Sequence, residues 1–251
     1  MNFWKRYWDS LSEKGGSDYE VDRGIAFQGE EIECMSEKKL LALIDPKAGD
    51  FIFDAGCGTG INLGRLSSGV KAMIGMDYSE SMINRAENRI KKENITNVRL
   101  IVGNVSEIGI KSNMFDRIVC ISVFQYLDDE ECEEALREFV RVAKDGAIIV
   151  FHIKNLCSLY LSTLYVAKRL KKLFSKNVKI ENYRFYKWYE KRLSEVGAKI
   201  IDYQSGNIFL IDFFPKFLVH KIRRMEMKYC EGRLLRKYGA DLHIKVEIKK
   251  P

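Results

Sequence analysis

The chain has 251 residues, of which 46% are hydrophobic and 31% charged, and its 18 glycines and 3 prolines exclude collagen-like and low-complexity classes. That apolar content also excludes a disordered chain, because it is ample to offset the entropy lost on folding. The net charge of +7 is unevenly spread: residues 1–151 hold 19 Lys and Arg against 26 Asp and Glu, and residues 152–251 hold 23 against 9. Such a split points to an acidic partner on one face, or to lysine-rich helices that only solvate the last third.

Aromatic residues Phe3, Trp4, Tyr7 and Trp8 share one helical face over residues 2–14, and Gly15-Gly16 ends that helix. A second helix is predicted from about Glu30 to Ile44, stopped by Pro46 and Gly49. Short apolar strands then alternate with helices: strands at 51–55, 71–77, 98–104, 115–122 and 147–153, helices at 60–67, 79–92 and 128–143. Continuous apolar strands alternating with helices imply a parallel sheet covered on both faces. An amphipathic helix is predicted over 156–174, with Leu156, Leu159, Tyr160, Val166, Leu170 and Leu173 inward and Lys168, Arg169, Lys171 and Lys172 crowding its end. A helix over 185–196, a strand over 198–204, a basic helix over about 215–229 and an alternating strand over 241–250 complete the pattern. The whole reads as one domain, 1–251: N-terminal helices or lid (1–45), core (46–153), helical insertion or substrate cover (154–183), and the C-terminal part of the sheet (184–251).

The six cysteines (34, 57, 120, 132, 157 and 230) show neither a CxxC pair nor zinc-ligand spacing. They predict reduced thiols, a cytoplasmic location and no metal. The first ten residues lack a signal-peptide h-region, and no apolar run reaches the ~18 residues of a membrane span.

Chemistry concentrates in FDAGCGTG, residues 53–60, directly after a strand and opening a helix. Gly56, Gly58 and Gly60 permit positive φ and close approach of a ligand to the backbone. Asp77 ends the next strand, where a carboxylate can accept both hydroxyls of a ribose. Asp54, directly before the glycines, would repel a pyrophosphate and favour a cationic amino-acid portion. S-adenosylmethionine, with a sulfonium, an ammonium and no phosphate, answers that description.

Five segments in this order and spacing resemble the class I S-adenosylmethionine-dependent methyltransferases, over roughly residues 30–153 in detail. They are FDAGCGTG, GMDYSESMI (75–83), GNVSEI (103–108), FDRIVCISVFQYL (115–127) and RVAKDGAIIVF (141–151). The likeness is to small-molecule members of the ubiquinone/menaquinone-biosynthesis-like group. It implies a Rossmann-like, doubly wound α/β fold with a seven-stranded sheet of order 3-2-1-4-5-7-6, the last strand antiparallel. It implies N-terminal helices and a helical insertion after strand 5. It gives as cofactor-binding residues Asp54, Ala55, Gly56, Cys57, Gly58 and Gly60 on the first loop; Asp77, Tyr78 and Met82 after strand 2, with Met82 packing on adenine; Asn104 and Val105 after strand 3; and Ile121 after strand 4. Asn104 stands where the family commonly has Asp, and an amide keeps the carbonyl acceptor but loses the charge.

Methyl transfer needs a base only when the acceptor carries a proton to be lost. His152, near the end of strand 5, is the candidate, against a purely structural role. Gln125 and Tyr126 are candidates for orienting the acceptor, and Tyr7, Trp8 and Arg23 for a lid. The base-methylating N/D-P-P-F/Y motif is absent after strand 4, where the chain reads ISVFQY. The expectation is a methyltransferase for a small-molecule or lipid-like acceptor, with a basic end on the insertion that suits an anionic acceptor or an anionic membrane surface. Nucleic acid is disfavoured without being excluded. The alternatives are a tRNA or rRNA methyltransferase and a noncatalytic cofactor-binding partner subunit.

Overall fold

The computed structural model describes residues 3–23, 40–174, 180–206 and 237–250, with isolated positions 218, 221, 222 and 225. Helices α1 (Phe3–Glu13) and α2 (Asp18–Arg23) precede the sheet, and residues 40–44 are helical. Then follow β1 (Phe51–Ala55), α3 (Ile61–Ser67), β2 (Ala72–Asp77), α4 (Glu80–Lys92), β3 (Val98–Val102) and β4 (Phe115–Cys120). A 3₁₀ turn (Phe124–Tyr126) leads to α5 (Asp129–Val142), β5 (Ala143–Lys154), α6 (Leu159–Phe174), α7 (Tyr186–Glu195), β6 (Ala198–Gly206) and β7 (Asp241–Ile248). Residues 30–39 of the expected second helix lie outside the described residues. So does the expected basic helix over 215–229, save for the isolated positions.

The seven strands form one sheet of order β3-β2-β1-β4-β5-β7-β6. Neighbours are parallel from β3 to β5, and β7 runs antiparallel to both β5 and β6. Side chains alternate across the sheet, so adjacent residues enter different cores. Phe53, Ile118 and Ile149 join Phe115, Phe124, Phe139, Phe151 and Tyr189 on one face; Ile52, Val119 and Val150 join Leu43, Ile44, Leu63 and Ile83 on the other. Gly75 in β2 lets α3 approach: a Cβ there would meet Leu63 Cδ1 at 2.6 Å and Leu100 Cδ2 at 2.9 Å.

Helix starts follow local chemistry. Ser79 caps α4 by accepting from the Met82 amide at 3.2 Å. Asp128 caps α5 in a reciprocal box, accepting from the Glu131 amide at 2.9 Å while Glu131 accepts from the Asp128 amide at 3.0 Å.

Several boundaries differ from the sequence reading, four of them with a local cause. β3 stops at Val102, because the Gly103 amide turns to the Asp77 carbonyl and Asn104 pairs back onto Glu107. β4 stops at Cys120, before Ser122 at φ +61° turns the chain. β5 starts early, at Ala143, where Ala143 pairs with Phe115 ahead of a register shift and Lys144 holds Asp116 at 2.7 Å. α6 starts late, because Asn155 folds residues 155–158 into a turn, accepting from the Cys157 amide and donating to the Lys237 and Gly239 carbonyls.

The face expected inward on α6 is so only in part, where Leu156 and Tyr160 pack against a small cluster. Of its residues only Leu161 is buried, packing in a small cluster with Tyr183 and Ala240. Leu159, Leu173 and Phe174 are 80%, 77% and 90% exposed, and Val166 and Leu170 are exposed with them. The later part of the apolar stripe, from Val166 to Phe174, is therefore exposed beyond the reach of this small cluster.

Candidate functional site

The ends of β1, β2, β3 and β4 open onto one crevice, at the switch between β1 and β4 where ligands bind open α/β sheets. Gly56, Gly58 and Gly60 adopt φ +79°, +53° and +81°. At Gly56 a side chain is impossible, since a Cβ would lie 2.2 Å from Val123 Cγ2. The Gly56 and Cys57 amides donate to the Met76 carbonyl, which ties the loop to β2.

Asp77 lines the crevice, accepting from the Gly58 amide at 3.0 Å and the Ser79 amide at 2.9 Å. Burial raises its carboxyl, against the opposing pull of those amides. Asp54 is fully buried, and neither of its carboxylate oxygens has a hydrogen-bond partner among the described residues. Burial, with the nearby charges of Asp22 and Asp77, pushes it up to about 8. At neutral pH it is therefore mostly protonated, and the acidic residues that face the crevice beside the glycine loop are Asp22 and Asp77. Burial likewise pushes the Cys57 thiol well up, with Asp54 adding to it, which makes this thiol an inert filler.

The roof comes from the N-terminus. Trp4 and Trp8 line the crevice and meet the Tyr126 ring at 4.7 and 5.5 Å. Polar contacts hold α1 and α2 down on α4: Ser79 and Ser81 hydroxyls donate to Asp9 Oδ1 at 2.5 and 3.0 Å, Arg85 donates to the Ser12 carbonyl, and Arg89 pairs with Asp18 at 2.6 Å. Asp22 of α2 accepts from the Thr59 amide at 3.0 Å and itself lines the crevice.

Of the residues singled out from sequence, the crevice brings together Gly56, Cys57, Gly58, Asp77, Tyr78, Met82, Asn104, Val105, Ile121 and Tyr126. Asp54, Ala55 and Gly60 support the loop without lining it, and Gln125 is buried beside it. His152 stands one residue back: it is buried on β5, with Nδ1 3.4 Å from Ser122 Oγ, and Ser122 is the crevice residue. Among the described residues, none of 156–174 lines the crevice, so the covering element is α1. Ser122, expected beside Ile121 on the crevice, lines it as well; sequence reasoning missed Trp4 as a lining residue, and Asp22, Arg65 and Glu131 altogether.

The residues present fit S-adenosylmethionine. The crevice offers carboxylates (Asp22, Asp77), glycine-loop backbone, apolar Met82, Val105 and Ile121, and a Tyr78 hydroxyl that is buried without a hydrogen-bond partner among the described residues. Arg65 is the one basic lining residue among those described, so the crevice is built for a cation and not for a pyrophosphate. No group of His, Cys, Asp and Glu suited to a metal occurs among the described residues. No described helix is long and apolar enough to cross a membrane. Cys57, Cys120, Cys132 and Cys157 are free thiols.

Comparison with known proteins agrees with this geometry. Residues 52–146 match the methyltransferase domain family. An uncharacterized protein of Methanocaldococcus jannaschii is 32% identical over 156 residues, covering 62% of this chain and 53% of that protein. The demethylmenaquinone methyltransferase of Shouchella clausii is 31% identical over 116 residues, 45% of this chain and 48% of that enzyme. The chain thus spans about half the length of these curated relatives. Among solved structures, a chain from the Haloferax volcanii complex of the Trm112 methyltransferase activator with a methyltransferase superposes with a TM-score of 0.66 at 18% identity, covering 97% of this chain and 98% of that one. Haemonchus contortus phosphoethanolamine N-methyltransferase 1, solved with phosphoethanolamine and S-adenosylhomocysteine, gives a TM-score of 0.68 at 17% identity, covering 98% of this chain and 48% of that one. Residues 52–146 thus match a methyltransferase domain, set on a sheet whose strand order the solved methyltransferase structures share and beside a crevice suited to a cationic nucleoside cofactor.

Proposed function

We propose that the chain binds S-adenosylmethionine and moves its methyl group to a small-molecule acceptor. The observation that carries this reading is the roof: Trp4 and Trp8 of α1 close on Tyr126 over the crevice, an aromatic enclosure that suits a small acceptor group better than a duplex or a folded RNA. Bound there, the cofactor supplies an activated methyl group, and the protein's work is to orient, desolvate and handle protons. Asp77 would hold the ribose, with Met82, Val105 and Ile121 beside the adenine and Asn104 at its edge. Asp22, Gly56 and Gly58 would face the amino-acid portion. Tyr126 and the indoles would shape the acceptor site, and buried Gln125 would support that wall.

The test is calorimetry with S-adenosylmethionine, S-adenosylhomocysteine and NAD, followed by incubation of labelled cofactor with fractionated cell extract. Binding of the first two ligands and label in the small-molecule or lipid fraction support the reading. Tight binding of NAD alone overturns the cofactor, and label confined to RNA overturns the acceptor class in favour of an RNA methyltransferase. Cofactor binding with label in no fraction would favour the noncatalytic partner subunit.

A second feature favours contact with an anionic membrane surface. The outward stripe of α6, ending in Leu173 and Phe174, runs beside Lys168, Arg169, Lys171 and Lys172. Lys168 also pairs with Glu181 at 2.9 Å. Apolar side chains flanked by cations suit a lipid surface, each cation contributing about 1 kcal/mol, screened by salt. Vesicles with and without anionic lipid test this. Binding only to the anionic vesicles, lost at high salt and after Leu170→Asp, is the expected outcome, and equal behaviour toward both would return α6 to a solvated helix.

A further inference from the structure

Three elements that are far apart in sequence converge behind the crevice. Ser122 follows β4 in the left-handed region, φ +61°, a conformation uncommon for a residue with a Cβ. It lines the crevice, and its Oγ lies 3.4 Å from Nδ1 of His152 on β5. His152 Nε2 lies 2.9 Å from Oδ1 of Asp241 on β7. The antiparallel register of β5 with β7 sets this up, placing His152 opposite His243 and Lys154 opposite Asp241.

The protons follow from the partners. Burial alone would raise the Asp241 carboxyl, but the Lys154 charge and the hydrogen bonds from His152 and Lys154 outweigh it and hold Asp241 well below the usual carboxylate range. An ionised Asp241 accepts, so Nε2 of His152 carries a hydrogen, and the 3.4 Å contact then sets Nδ1 against the Ser122 hydroxyl, where a lone pair on Nδ1 can accept from it. The Ser122 hydroxyl then donates inward and turns its own lone pairs toward the crevice. Among the described residues, the charged and titratable groups around His152 include Lys154 on its own strand, Asp241 and His243 on β7, and Tyr183, on which the Asp241 charge acts.

We infer that Ser122, His152 and Asp241 form a proton relay in which Ser122 is the group that touches the acceptor and His152 the base that receives its proton. This rests on the methyl-transfer reading above. As the bond from acceptor to methyl forms and the bond from cofactor sulfur to methyl breaks, the acceptor's proton passes to Ser122 Oγ. The Ser122 proton passes in the same event to His152 Nδ1, and Asp241 balances the imidazolium. The relay defines the acceptor class: a hydroxyl, or an amine that must shed a proton, and not a group already free of protons. His152 therefore acts through Ser122 without entering the crevice.

The test has a part that needs neither cofactor nor acceptor. Nitrogen-15 NMR of the histidine rings at pH 7 should show His152 as the Nε2–H tautomer, and Ser122→Gly should move the Nδ1 resonance toward that of a ring nitrogen without a hydrogen bond. Glycine takes φ +61° without strain, so this variant keeps the fold, and thermal unfolding verifies it. A His152 that carries its hydrogen on Nδ1, or is doubly protonated at pH 7, overturns the relay. In turnover of the acceptor found by labelling, Ser122→Gly and His152→Gln should each lower kcat about 10²–10⁴-fold. The double variant should be no worse than either single one, and the calorimetric affinity for S-adenosylhomocysteine should stay within about twofold. A Ser122→Gly enzyme that keeps its kcat overturns the relay while leaving the methyltransferase reading intact, whereas a wild-type protein that binds no cofactor overturns that reading itself.

Discussion

Replacing Asp54 by asparagine should change how stability depends on pH more than any other single substitution in the loop. The carboxyl ionises near its ordinary 3.8 in the unfolded chain and near about 8 in the folded one, where it is fully buried without a hydrogen-bond partner among the described residues. Between these two values the folded chain holds a proton that the unfolded chain has released. Stability therefore falls as pH rises through that window, at about 1.4 kcal/mol per pH unit, and levels off above pH 8. From pH 5 to pH 8 this one group removes about 4 kcal/mol. A carboxamide does not titrate, so the stability of Asp54→Asn relative to wild type should improve by about that amount over the same interval, whatever fixed cost its buried amide adds. Urea unfolding of both proteins without cofactor at pH 5, 6, 7 and 8 measures it. A difference between the two that stays constant across pH would refute the reasoning, because it would mean that Asp54 ionises normally where it sits.

Other substitutions probe separate parts of the site and fold. Asp77→Ala removes a carboxylate from the crevice, and the affinity for S-adenosylhomocysteine measured by calorimetry should drop by about 1.5–3 kcal/mol for each ribose hydrogen bond lost; an unchanged affinity would take Asp77 out of the ribose site. Trp8→Ala opens the roof against Tyr126, and stopped-flow should show cofactor release about tenfold faster, the worth of an aromatic pair of roughly 1.5 kcal/mol. Asp128→Ala breaks the capping box of α5 and should cost about 1 kcal/mol in urea unfolding, with cofactor affinity unchanged.

The sheet was legible because its strands are short, continuous apolar runs between caps that announce themselves, such as Ser79 and Asp128. The glycine loop and Asp77 were legible because each lies at the end of such a strand. What escaped was whatever depends on long-range register. Asp22 reaches the loop from 37 residues upstream of Thr59, and Asp241 meets His152 across 89 residues. No local pattern encodes either meeting. The strain at Ser122 was equally silent, since a serine in sequence carries no sign of φ. α6 shows the limit of periodicity: spacing identified an apolar stripe correctly, but whether a stripe faces a core or solvent depends on what the rest of the chain supplies to cover it. The N-terminal aromatics carried the opposite lesson. Their helical spacing suited ordinary core packing as well as a lid, and Trp8, a lid candidate, lines the ligand crevice together with Trp4.

The antiparallel insertion of β7 between β5 and β6 also orders the chain's assembly in time. During synthesis β1 to β5 emerge first and can complete a parallel half-sheet, but β5 then waits as an open edge, since β6 has no partner until β7 arrives. That edge is almost wholly apolar from Ala147 to Ile153 and is buried only in the finished sheet. For that interval the nascent chain presents the kind of unpaired strand that recruits foreign strands, which makes the delay before β7 the most aggregation-exposed moment of its biogenesis. A ribosome-bound chain halted after β6 should bind holdase chaperones more strongly than one released after β7.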